Sequence, residues 1–288
     1  MTVFELLQDY SFWTVALGTC FLALSASMIG TISVLTKQSL IGDSLGHAAY
    51  PGVIFSFIVF QSRNPFLLML GAVVSGYLSY GLVQLVKRHS QHSLINILAL
   101  VSASFFGLGM VLKQFIQGNQ QFSGASQAGL QTYLFGQAAF IQLDDVWLIC
   151  LVAALCLLIF FLNYQSFKIY LFDEKFAQLV GVNVKLLRHL TMFLMICLIS
   201  VGLKVVGAVL MSSFLIAPAI LGLLLGPVYR RVLQLSAISA CLSAFIGTWV
   251  SSAISGLSTG PSIIVCMTVT TLLAFSYVTY VRKENGHA

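Results

Sequence analysis

Long apolar runs separated by short polar clusters account for almost the whole chain. They lie near 12–35, 45–61, 66–86, 94–115, 143–163, 187–203, 205–226, 232–251 and 261–281. Each is close to the roughly 20 residues that a helix needs to cross a bilayer. The runs are continuous rather than alternating apolar and polar with a period of two, so they do not read as strands of a membrane barrel. The pattern predicts an all-α polytopic membrane protein of eight or nine transmembrane helices, nine on this count, in a single transmembrane domain over 1–288. Only Lys204 and neighbouring glycines divide the region 187–226. The amino-terminal MTVFELLQDY carries acidic residues and no basic segment, so no cleavable signal peptide is expected.

Composition agrees with the pattern. Of 288 residues, 59% are hydrophobic and 8% are charged, with a mean hydropathy of +0.98, where a soluble domain carries about 25% charge. The net charge of +6 matters through its placement. With the amino terminus outside, Lys37, Lys87 and Arg88, the 164–186 loop, Arg230 and Arg231, and Arg282 and Lys283 all fall in the cytoplasm. The external loops then hold Arg63, the glutamine-rich QGNQQFSGASQAGLQ (117–131), Asp144 and Asp145, with Lys113 and Lys204 as isolated bases. This is the punctuation of a membrane protein rather than a nucleic-acid face. Six cysteines all lie within apolar runs and form no CxxC pair, which makes them packing residues. No GxxxxGK[ST] stretch is present, so the chain has no P-loop of its own.

Against that background IGDSLGHAAYPG (41–52) stands out. Asp43 and His47 are four apart, which places them on one face of a helix. A carboxylate with an imidazole suits Zn, Mn or Fe(II), whereas Cu(I) prefers thiolates. Ionisable groups at membrane depth face a pathway or a partner. The alternative is structural: Asp43 caps the second span and His47 is an interfacial residue. Two ligands make an incomplete metal site. A second copy about a two-fold axis would supply two more, giving an Asp₂His₂ set in a homodimeric pore. Depth is open at this point, since an inner gate and a midplane site are both compatible with the pattern.

A second feature is FDEKFAQLVGVNV (172–184), in the largest predicted cytoplasmic loop. Phe176, Leu179, Val180 and Val184 form a short apolar stripe after a charged start, and Gly181 ends it. The pattern predicts an amphipathic helix over about 171–182, either an interfacial linker or a segment that enters a groove on a cytoplasmic partner. Elsewhere, Pro51 and Pro218 are expected to kink their spans and shape a pathway. Asp144 and Asp145 read as a solvated helix end that could also attract cations or meet a delivery protein. His89 and His92, three apart in KRHSQH, are a further metal-contact candidate, and His189 beside Arg188 reads as interfacial.

Four stretches occur together and in order: SLIGDSLGHAAYPG (39–52), FDEKFAQLVGV (172–182), VVGAVLMSSFLIAPAI (205–220) and LSTGPSIIV (257–265). Together they resemble the permease subunit of the divalent-metal (zinc/manganese/iron) ABC importers, and the resemblance spans nearly the whole chain. It implies that Asp43 and His47 coordinate the metal and that a coupling helix bearing Asp173, Glu174, Ala177 and Gly181 docks on an ATPase. It further implies a homodimer, two cytoplasmic ABC ATPase subunits, an extracellular or periplasmic metal-binding protein, and a bacterial cell membrane. No cofactor is bound permanently; Mn²⁺ or Zn²⁺, with Fe²⁺ a third candidate, is the transported ion. Two positions depart from the family pattern: a D-P-E stretch is here Asp173-Glu174-Lys175, and the late motif lacks its acidic residue at Ser258-Thr259-Gly260-Pro261.

Other readings compete. A secondary carrier would use Asp43 and His47 as a proton relay without any ATPase. A permease for metal chelates or cobalamin would need a wider pore and no direct ion ligand. An intramembrane metalloenzyme would need a third ligand and a general acid or base, and the sequence contains no HExxH. Between Mn and Zn the ligand set does not choose.

Overall fold

The computed structural model describes residues 10–118, 133, 136, 141–254 and 256–285. Among them every regular element is an α-helix: α1 (Tyr10–Leu35), α2 (Leu40–Phe60), α3 (Pro65–His89), α4 (Leu94–Gly118), α5 (Leu143–Leu162), α6 (Tyr164–Phe172), α7 (Glu174–Leu179), α8 (Val184–Val206), α9 (Ala208–Leu225), α10 (Tyr229–Ala253) and α11 (Thr259–Asn285). The first nine residues and most of the glutamine-rich stretch lie outside the described residues.

Each of the nine apolar runs corresponds to one long helix, α1–α5 and α8–α11. Seven of these are long and apolar enough to cross a membrane, and the chain is a multi-pass helical membrane protein. The two others are α2 and α9. Asp43, His47 and several glycines depress the hydropathy of α2, while α9, at 18 residues, is near the lower length limit for a span. Both are instead sheltered by protein. In α2 every residue from Ile41 to Ile54 is buried except Asp43 and His47.

Local signals set several helix starts. Asn64 accepts the Phe66 N–H at 3.0 Å ahead of Pro65 in the first turn of α3, and Asn183 accepts the Leu186 N–H at 3.1 Å to begin α8. Ser39, not Asp43, occupies the N-cap of α2. The span therefore begins five residues before its apolar run does, and Asp43 is inside the helix. The expected kinks at Pro51 and Pro218 do not interrupt their helices, since both residues lie inside continuous ones.

Helix α2 is held by contacts at backbone level. A side chain at Gly52 would collide with the Gly71 carbonyl of α3, and one at Gly71 would collide with that of Gly52. Close approach at paired small residues is how helices associate where lipid offers no hydrophobic drive. Ser75 adds a hydrogen bond to the Ala48 carbonyl at 2.6 Å, and Ser56 one to the Leu67 carbonyl at 2.8 Å. On another side, a Cβ at Gly46 would lie 2.8 Å from the Ala208 carbonyl oxygen of α9.

A second apolar cluster ties one end of the bundle together. Met28, Ile32, Phe160, Phe167, Tyr170, Ala177, Val184, Leu187 and Leu233 join the ends of α1 and α5 to α6, α7 and the starts of α8 and α10. Lys168, Lys175, Lys185, Arg188, Arg230 and Arg231 belong to this end, called the basic end below.

The α2–α3 contact makes a simple prediction. Gly52→Ala forces two backbones apart and lowers stability by about 1–3 kcal/mol, whereas Gly81→Ala, with open space around it, leaves stability unchanged or raises it slightly. Thermal melting of both variants in detergent checks this. Equal melting temperatures would contradict the close approach.

Candidate functional site

Asp43 and His47 are the only openings in the buried stretch of α2. Their side chains are 46% and 23% exposed, and His47 Nε2 lies 4.0 Å from Asp43 Oδ1. That separation exceeds a hydrogen bond, so the two groups do not satisfy each other. It is within reach of two donors on one ion, which at about 2.0–2.2 Å each stand roughly 3–4 Å apart. The His47 ring meets Phe106 edge-on, with centroids 5.2 Å apart, and its Nδ1 is buried with no hydrogen-bond partner. Pro51 has no N–H to offer the carbonyl four residues back, and that carbonyl is His47's own.

The neighbours fix the height of the pair. Phe106 is at the middle of α4 (94–118) and Ser75, bonded to Ala48, is near the middle of α3 (65–89). His47 is thus level with the middle of the flanking helices, while Ser44, next to Asp43, donates to the Leu98 carbonyl one turn from the start of α4. Met195 of α8 and Leu215 of α9 pack at Gly42, one residue from Asp43. Among the described residues, no group of three or more His, Cys, Asp or Glu could hold a metal ion, and Asp43 and His47 stand as a pair.

The segment expected over 171–182 resolves into two helices. Asp173 breaks the chain between α6 and α7 and caps α7, accepting the N–H of Lys175 at 2.8 Å and of Phe176 at 3.1 Å. Glu174 pairs with Arg188 of α8 at 2.9 Å. Ala177 is fully buried in the second cluster, and Gly181 ends the segment with φ +85°, a conformation that only glycine adopts without strain. Phe172 and Leu179 are 92% and 85% exposed, and Phe176 and Val180 are exposed beside them. Val184 does not join that stripe; it is the buried first turn of α8.

Residues 8–278 match the sequence model of the ABC 3 transport family. The chain belongs to the ABC 3 transport family. Two curated relatives agree with this membership. The manganese transport system membrane protein MntC of Bacillus subtilis (strain 168) is 35% identical over 266 residues, covering 92% of this chain and 60% of that protein. The zinc transport system membrane protein TroC of Treponema pallidum (strain Nichols) is 32% identical over 264 residues, covering 92% of this chain and 88% of TroC. The solved structure of PsaBC from Streptococcus pneumoniae in complex with Fab has the same fold, with a TM-score of 0.85, 24% identity and 95% of both chains covered.

Within this ABC 3 fold one charged residue differs from its sequence reading. Asp145 is not a solvated helix end: it is 4% exposed and paired with Lys204 of α8, while Asp144 beside it is exposed. Burial, with the Asp145 carboxylate nearby, pushes the Tyr133 phenol above its ordinary value. A lone lysine in an apolar run was the available sign, because such a charge needs a counter-ion.

If Asp173 starts α7, Asp173→Ala costs about 1 kcal/mol of local helix stability. Amide exchange over 174–179 accelerates while α6 keeps its protection. Unchanged exchange would show that α7 is held by Ala177 packing alone.

Proposed function

We propose that this chain is the membrane-spanning permease subunit of an ATP-driven importer for a divalent transition-metal cation, Mn²⁺ or Zn²⁺, in a bacterial cell membrane. The observation that carries the reading is the pair Asp43 and His47, 4.0 Å apart and opening together from an otherwise buried helix. Membership of the ABC 3 family and the printed names of the manganese and zinc relatives support the cargo class.

Two copies of the chain face each other across a two-fold axis, each contributing Asp43 and His47. The four donors take a partly dehydrated ion delivered from outside by a metal-binding protein. Separate donors on two bodies can grip an ion and release it, because a small shift between the copies pulls the ligand set apart. Pro51 and Pro218 shape the pathway by freeing the carbonyls of His47 and Phe214 from their helical partners.

Energy enters at the basic end. The exposed Phe172, Phe176, Leu179 and Val180 suit a hydrophobic groove on each of two cytoplasmic ATPase subunits, while Asp173, Glu174, Ala177 and Gly181 give the segment its shape. Movement of α7 passes to α8 through the Glu174–Arg188 ion pair and the packing of Ala177 against Val184 and Leu187. Helix α8 carries Met195 to Gly42, so the displacement arrives beside Asp43. Alternating access follows from moving that helix against α2.

Uptake of radioactive Mn²⁺ and Zn²⁺ by cells expressing the wild type, Asp43→Ala or His47→Ala tests the reading. Both variants insert normally and lose uptake of the transported ion by at least about tenfold, as expected when half of a ligand set is deleted. Wild-type uptake by both would exclude this pair as the site.

A further inference from the structure

At the end of the bundle opposite the basic one, a buried carboxylate is paired with an ammonium whose side chain is only partly exposed. Lys204 Nζ of α8 donates to Asp145 Oδ2 of α5 at 2.5 Å, and the same oxygen accepts the Gln142 N–H at 2.9 Å. Pro65, Met69, Tyr133, Leu148 and Ser200 enclose the pair. A buried ion pair is a weak source of stability compared with apolar packing of the same volume. In a membrane protein its retention points to function.

Its position suggests which function. Lys204 stands three residues before Gly207, whose φ of +89° turns α8 into α9. The next residue, Ala208, places its carbonyl oxygen against Gly46 of α2, and Gly46 adjoins His47. Gly136 packs against Val206 and Gly207 from the other side of the same turn. Holding Lys204 therefore steadies the α8–α9 turn, which packs on α2 at Gly46, the residue before His47. The basic end reaches the Asp43–His47 pair through the other half of α8.

We propose that Asp145 and Lys204 form a clasp that positions the α8–α9 turn over the metal pair, closing the site towards the end opposite the coupling helix. The clasp parts when the site opens to that side, each charge then exchanging its partner for water. Asp145 and Lys204 are positioning residues; neither touches the ion. This inference rests on the importer reading and adds its outer closure.

The test uses the full chain in cells, with His47→Cys as a reporter of access to the site. A membrane-impermeant maleimide is added outside, and modification of residue 47 is followed by mass spectrometry. With the clasp intact, labelling is slow. Asp145→Asn accelerates it by at least about fivefold, the population of the open form rising as its competitor is weakened. Lys204→Arg keeps it slow, and the double exchange Asp145→Lys with Lys204→Asp returns it towards the slow rate. On the His47 background, Asp145→Asn lowers the maximal uptake rate while KM stays within about twofold, because the ligands are untouched. Unchanged labelling in Asp145→Asn at normal membrane levels would overturn the clasp, as would a raised KM at an unchanged maximal rate. Should Asp145→Asn fail to accumulate, Lys204→Gln, which removes the other charge, is read in its place: accelerated labelling supports the clasp and unchanged labelling overturns it. Labelling does not require transport, so a failed importer reading, visible as normal uptake in His47→Ala, is told apart from a failed clasp.

Discussion

A helix that carries a carboxylate and an imidazole in its first half and a proline just past its middle cannot rest against lipid, and the arrangement of the other helices answers that constraint. Charged and polar groups at membrane depth are costly unless protein surrounds them, so α2 must be wrapped. Wrapping at backbone distance requires small residues at the crossings. Gly52 against Gly71 and Gly46 against the Ala208 carbonyl provide them, and the hydroxyls of Ser75 and Ser44 reach carbonyls of Ala48 and Leu98 across the gaps. The one strip of α2 left open between Leu40 and Phe55 is the strip bearing Asp43 and His47. Burial of the helix and exposure of its ligands are the same structural fact seen from two sides.

Helix α8 is the element through which distant parts of the protein meet. It begins in the cluster that holds Ala177 and the Glu174–Arg188 pair, passes Asp43 with Met195 against Gly42, and ends at Lys204 and the Gly207 turn. A helix is stiff along its axis, so a displacement at Val184 is felt at the opposite end. This is a physical basis for linking the coupling segment to the site without any flexible relay. The proposed clasp, Asp145 with Lys204, sits near the far end of that rod.

Much of this was legible in the sequence. Continuous apolar runs located all nine long helices, and the i, i+4 spacing put Asp43 and His47 on one face. What failed to show was where α2 begins. Hydropathy places the start of α2 at its apolar run, near residue 45, whereas the helix begins at Leu40. Pro51 and Pro218, expected to kink their spans, both lie inside continuous helices. Asp145 was misread for another reason: its partner, Lys204, is 59 residues away, and a local pattern carries no information about such a pairing. Val184 was misassigned because the apolar stripe of the coupling segment runs without a gap into the first turn of α8.

The central claim is that one cation is held by Asp43 and His47 from two copies of this chain. Equilibrium binding of radioactive Mn²⁺ or Zn²⁺ to the protein in lipid nanodiscs, with copy number measured on the same sample, addresses it most directly. The account predicts one saturable site per two chains, lost in both Asp43→Ala and His47→Ala. A site for every chain, or binding that survives both substitutions, would contradict it.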